Sequence, residues 1–164
     1  MTNVYGKTGG GGVRVTIKSV TLTNELRELE RLRLFLKDSA ESFQFDERTQ
    51  YRLNLICDEL VTNIISYGFG DRADTDIRPR IEIVLTDSTD RMVIRITDDG
   101  VPFNPLNRPE PNVSAGIEER GIGGLGIHFV KTLTDEAIYE RDGERNVLRL
   151  TINRLQLPEE EQTG

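Results

Sequence analysis

DELVTN, residues 58–63, lies inside a run that reads as one packed helix from near Asp46 to Tyr67, stopped by Gly68 and Gly70. At about 100° per residue, Ile56, Leu60 and Ile64 fall on one stripe. Asn63 lies within about 20° of Ile56 on the same wheel, and Glu59 about 40° further round. The wheel therefore points Asn63 toward whatever covers the stripe and Glu59 toward the edge of a cleft. An amide and a carboxylate so placed need partners. Read alone, the plainer account is a surface Glu and an internally bonded Asn.

Working outward, a first strand is expected from Val13 to Ile17. A first helix follows, capped near Thr23 or Asn24, with Leu26, Leu29, Leu32, Leu34, Phe35 and Leu36 as its apolar positions. Beyond the second helix, RIEIVLT (80–86) places Ile81, Ile83 and Leu85 on one face, and RMVIRITD (91–98) does the same with Met92, Ile94 and Ile96. Residues 100–122, GVPFNPLNRPEPNVSAGIEERGI, hold proline, glycine and charge without periodicity, and a loop that long is usually functional or disordered. A short helix from Leu125 to about Leu133 comes next. EAIYERDGERNVLRLTI (136–152) then reads as two strands about a turn at Asp142–Gly143. Strands arriving in pairs predict an α+β fold: a two-layer α/β sandwich whose mixed, mostly antiparallel sheet has its helices on one face. Residues 1–12, with glycines at 9–12, are expected to be a disordered tail. Residues 13–154 form the domain, and 155–164 an acidic solvated tail.

Composition narrows the function. A chain of 164 residues suits one domain with a sizeable core. A net charge of −7 argues against nucleic acid as the main partner, because phosphate neutralisation needs a basic surface. Cys57 is the only cysteine, so no intrachain disulfide forms, which suits a reducing cytoplasm. It reads as a small helix residue rather than a reactive thiol. MTNVYGKTGGGG at the N-terminus has no apolar signal region, and no apolar run is long enough to span a bilayer. The GKT at 6–8 is not a P-loop, since Met1 stands where the motif needs its first glycine.

Two further stretches bear on the Glu59/Asn63 pair. In ITDDG (96–100), the strand phase that turns Met92, Ile94 and Ile96 inward also turns Asp98 inward, although Asp-Asp-Gly ends many strands as a simple turn. In RGIGGLGIHF (120–129), glycines lead into a helix, whose N-terminal N–H groups suit phosphate. An inward Asp, a Glu/Asn pair on the facing helix and a phosphate-cradling loop could line one pocket.

In this order, ELVTN, DDGVPF and GIGGLG resemble the N, G1 and G2 boxes of the GHKL-type ATPases, with their Bergerat ATP-binding fold. The closer resemblance is to the bacterial anti-sigma-factor serine/threonine kinases, through DDGVPFNPLNRPEP and EERGIGGLGIHFVKTLTDEAIYERDGERNVLRL, and it covers roughly residues 13–154. The resemblance implies that Asp98 accepts the adenine amino proton and Gly100 leaves room for the base. Asn63 ligates Mg²⁺ through its side-chain oxygen, as hard cations prefer. Glu59 is the general base on the attacking hydroxyl. Gly121, Gly124, Leu125 and Gly126 close on the phosphates of ATP, with Arg120 adding a charge-assisted contact. It further implies a cytoplasmic kinase that phosphorylates an anti-sigma-factor antagonist and otherwise sequesters a sigma factor, as a possible homodimer without membrane or direct nucleic-acid contact. The alternative is a nucleotide-dependent partner switch without significant phosphoryl transfer. A regulator with another output is a third class. His128 is the only histidine and reads as a helix residue without chemistry. No dimerisation helix bearing a phospho-acceptor histidine and no transducer domain are recognised, which sets the chain apart from two-component kinases and topoisomerases.

Overall fold

A computed structural model describes residues 2–6, 15–70, 79–107 and 130–154. Its strands are β1 (Thr2–Gly6), β2 (Val15–Leu22), β3 (Ile81–Asp87), β4 (Arg91–Asp98), β5 (Glu136–Asp142) and β6 (Arg145–Asn153), and its long helices are α1 (Glu28–Phe43) and α2 (Glu47–Tyr67). The six strands form one sheet in the order β1-β2-β3-β4-β6-β5, and every pairing is antiparallel. The expected α+β two-layer sandwich is therefore present, without a parallel pair among the described strands.

The alternation read from the sequence sets the faces. In β3, Ile81, Ile83 and Leu85 are buried, and in β4 so are Met92, Ile94 and Ile96. The register pairs Ile83 with Ile96 and Leu85 with Ile94, so these side chains share one face. Leu148, Leu150 and Ile152 of β6 extend that face. Leu32, Phe35 and Leu36 of α1, with Leu53, Ile56, Cys57 and Leu60 of α2, complete a single core.

Several expectations shift. Residues 2–6 were expected in a disordered tail. The structure pairs them with Ser19–Val15 of β2 as β1, because the strand-favouring residues of TNVYG lie before the glycine run and meet an otherwise open sheet edge. The strand expected over Val13–Ile17 runs instead over Val15–Leu22. Lys18 had obscured its alternation: it lies on the inward face, 7% exposed. Its ammonium donates to Asp38 Oδ2 at 2.7 Å, to the Asp38 carbonyl at 3.2 Å and to the Ser42 hydroxyl, which ties β2 to α1.

Helix α1 begins at Glu28, with Arg27 at the cap position and no side-chain cap, rather than near Thr23 or Asn24. The bonds Glu28 N–H to Glu25 O and Leu29 N–H to Leu26 O close tight turns that delay the helix. Leu26 and Leu34 were expected on the apolar face but are exposed. Helix α2 matches its expected span, with Asp46 as N-cap accepting from Thr49 N–H at 2.6 Å. Gly68 ends α2 in ordinary right-handed geometry, and of these two glycines Gly70 alone adopts positive φ. The last hairpin turns at Gly143–Glu144, one residue later than expected, since Asp142 still pairs with Arg145. Gly143 takes φ 56°, the conformation such a two-residue turn demands. Of the short helix expected from Leu125, residues 130–133 are helical. Arg52 of α2 anchors them by donating through Nε and Nη2 to the Leu133 carbonyl.

Candidate functional site

A pocket of about 180 Å³ opens where the C-terminal half of α2 lies over the ends of β4 and β6. Leu60, Asn63, Ile64 and Tyr67 form its helical wall. Ile96, Asp98, Asn146 and Leu148 form the sheet floor, with Tyr139 beside them. Val101, Pro102, Phe103 and Pro105 close the third side, and Phe103 and Tyr67 stay exposed at the mouth. Most of this lining is apolar, with a few convergent polar groups, the usual make-up of a site for a flat organic ligand.

Asp98 sits on the floor, 5% exposed, where the strand phase put it. Its Oδ1 accepts from Gly100 N–H and from Asn146 Nδ2, both at 2.9 Å. Oδ2 has no hydrogen-bond partner among the described residues. Burial pushes the Asp98 pKa above the ordinary carboxylate range; the bonds from Asn146 and Gly100 oppose it, Asp99 adds to the rise and Arg141 offsets it.

Gly100 has a structural reason to be glycine, apart from the expected one of leaving room for a base. A Cβ there would lie 2.4 Å from the Gly68 carbonyl oxygen and 2.7 Å from Asp98 Oδ1. Val101 N–H donates to that same Gly68 carbonyl at 2.8 Å, so the loop after β4 is laced directly to the end of α2. The bare backbone at Gly100 permits this approach.

Asn63 is half-buried and lines the pocket, as the helical wheel predicts. Glu59 is half-buried one turn earlier and lies outside the pocket lining. Among the described residues neither side chain has a hydrogen-bond partner, so the internally bonded Asn of the plainer account is not found. Tyr67, Asn63 and Glu59 thus mark successive turns, spanning about 12 Å along α2 at about 1.5 Å per residue. Arg120, Gly121, Gly124, Leu125, Gly126 and His128 fall outside the described residues. The described residues contain no cluster of three or more His, Cys, Asp or Glu side chains that could hold a metal ion.

Asn146 escaped the sequence reading. It is paired with Asp98 across the β4–β6 ladder and is 6% exposed. The signal existed: Asn146, Leu148, Leu150 and Ile152 share the inward phase of β6, so Asn146 is an inward polar residue by the argument that singled out Asp98. Tyr139 and Arg141 of β5 reach it from the same side, with Tyr139 Oη at 2.8 Å and Arg141 Nη1 at 2.9 Å from its Oδ1.

The sequence profile of the histidine kinase-like ATPase domain family matches residues 22–152. A serine-protein kinase RsbW of Listeria monocytogenes is 27% identical over 132 residues, 77% of this chain and 82% of the relative. A serine/threonine-protein kinase BtrW of Bordetella bronchiseptica is 25% identical over 140 residues, 85% of this chain and 90% of the relative. Among solved structures, the histidine kinase domain of a blue-light activated histidine kinase from Erythrobacter litoralis matches at a TM-score of 0.44 and 20% identity, covering 64% of this chain and 44% of that one.

Proposed function

The chain belongs to the histidine kinase-like ATPase domain family, and from that premise we propose that it is an ATP- and Mg²⁺-dependent protein-serine/threonine kinase that also acts as an anti-sigma factor. In this reading it phosphorylates a small anti-sigma-factor antagonist and, free of that antagonist, sequesters a sigma factor. The reading follows the names of the Listeria and Bordetella relatives, both called protein kinases, for the transfer step. The sigma-factor output follows the sequence resemblance.

One observation carries the nucleotide part. A carboxylate lies on the floor of an apolar pocket with one oxygen held by two donors and the other without a partner among the described residues. Such an oxygen suits the exocyclic amino group of adenine, with Ile96, Leu148 and Ile64 against the ring faces. With the base at the Asp98 end, the phosphates would run back along α2 toward Asn63 and Glu59. Asn63 offers a neutral hard oxygen, half-buried and without a partner among the described residues, which fits Mg²⁺. Bound Mg²⁺ would neutralise phosphate charge there. Glu59, one turn further from the base, would take the proton of the incoming hydroxyl.

Removing a general base typically lowers the rate by about 10²–10⁴ and leaves ground-state binding nearly unchanged. Glu59→Gln is therefore expected to bind ATP and antagonist as the parent does and to lose phosphoryl transfer from labelled ATP to the antagonist. Transfer at the parent rate would make Glu59 structural. If the parent labels no partner at all, the protein is a nucleotide-dependent binding switch instead.

A further inference from the structure

Asn146 makes five hydrogen bonds, and their polarity fixes the orientation of its amide. Its Oδ1 accepts from Tyr139 Oη at 2.8 Å, from Arg141 Nη1 at 2.9 Å and from Phe103 N–H at 3.3 Å. Its Nδ2 donates to Asp98 Oδ1 and to the Val101 carbonyl, both at 2.9 Å. A guanidinium and a backbone N–H can only donate, and a carbonyl can only accept. The flipped amide would oppose donor to donor and acceptor to acceptor at four of the five contacts. Asn146 is therefore locked as a donor toward Asp98.

That lock has a chemical consequence. Two donors on Asp98 Oδ1 favour the ionised carboxylate, while burial favours the neutral acid. Ionised, Asp98 can only accept at Oδ2. Neutral, it would carry its proton on Oδ2, the oxygen left without a partner among the described residues, and would donate there. Acceptor and donor forms select opposite purines: one recognises a 6-amino group, the other a 6-carbonyl.

We propose that Asn146 is the positioning residue that sets the choice of base in this pocket, holding Asp98 as an acceptor so that 6-aminopurine nucleotides enter and 6-oxopurine nucleotides are refused. The inference rests on the nucleotide reading above and adds the residue that makes it selective. Asp99 and Arg141 are the other charged groups that bear on Asp98, and Tyr139 is the other titratable side chain at the hub.

The test is calorimetric titration of ATP and of inosine triphosphate against the full chain. The parent is expected to prefer ATP by more than tenfold at neutral pH. Asn146→Ala should erase most of that preference. Asn146→Thr, suited to a strand and still carrying one hydroxyl donor, should restore it. In Asn146→Ala the preference should return as pH is raised and Asp98 ionises, which a packing role alone would not produce. Should the alanine variant not fold, Asn146→Leu keeps the side-chain size and offers Asp98 no donor, again lowering the preference. An unchanged preference in a folded Ala or Leu variant at every pH overturns the proposal and leaves the nucleotide reading intact. A parent that binds neither nucleotide overturns both.

Discussion

Asp98 is held between opposed demands: the proposed nucleotide site needs a carboxylate, and the fold would be better off without its charge. Its raised pKa means the folded protein holds this proton more tightly than the unfolded chain. The stabilising contribution is thus full below the ordinary carboxylate pKa and is lost as pH rises through the folded one. Asp98→Asn is expected to unfold no earlier than the parent at neutral pH, with any advantage shrinking on acidification. The same change should weaken ATP binding by roughly 10- to 150-fold, the cost of losing a hydrogen bond of about 1.5–3 kcal/mol to a charged group. Melting curves across pH and calorimetry read the two effects separately; a variant destabilised most at neutral pH would contradict the first. Gly100→Ala is expected to cost about 1–3 kcal/mol, the usual range for overpacking, because its Cβ would meet the Gly68 backbone at 2.4 Å and not a yielding side chain. Guanidinium denaturation measures that loss. Asp98 was legible because a buried acid breaks an otherwise apolar alternation. Asn146 was not, because an asparagine three residues from a turn glycine reads as turn chemistry until the strand's phase is followed back to the turn.

Among the elements, α2 was the most legible and carries the most. Its cap, its apolar stripe and its stop are all local signals, so its span could be read without knowing what it packs against. Helix α1 shows the limit. Its start depends on tight turns at Glu25 to Arg27, and the exposure of Leu26 and Leu34 depends on how far round the helix the sheet reaches. Neither follows from periodicity alone. The N-cap of α2 gives a direct measure of its local stability: Asp46→Ala should cost about 1 kcal/mol. The bonds from Thr49 to Asp46 hold its carboxyl below the ordinary range. Its contribution is therefore present above the unfolded pKa and fades as pH falls through the folded one. Parent and variant should converge in denaturant midpoint in strong acid; a gap that widens there would remove the cap from the account.

At the scale of the whole molecule, one core joins both helices to β2, β3, β4 and β6, with Ala137 and Tyr139 of β5 packed against it, so the site has no supporting structure separate from the rest. While β2 meets β3 only across both helices and β4 takes β6 rather than β5 as its neighbour, the pairing of β3 with β4 and of β5 with β6 follows from short connections. The place of β1 does not, because its pairing partner is set by an open edge rather than by its own pattern. Cys57 sits at the centre of that core, fully buried on α2 less than two turns from Asn63, with burial first and the Asp58 charge second raising its thiol pKa. A sulfhydryl so enclosed can be alkylated only when the protein opens, which makes it a built-in stopwatch for unfolding. Labelling by a small thiol reagent is expected to proceed at the pace of global unfolding. A ligand that binds only the folded form divides the open population by one plus its concentration over Kd. ATP at about one hundred times its Kd should therefore slow the labelling about a hundredfold, and a mass spectrometer counting modified thiols would then weigh the affinity of the pocket without touching it.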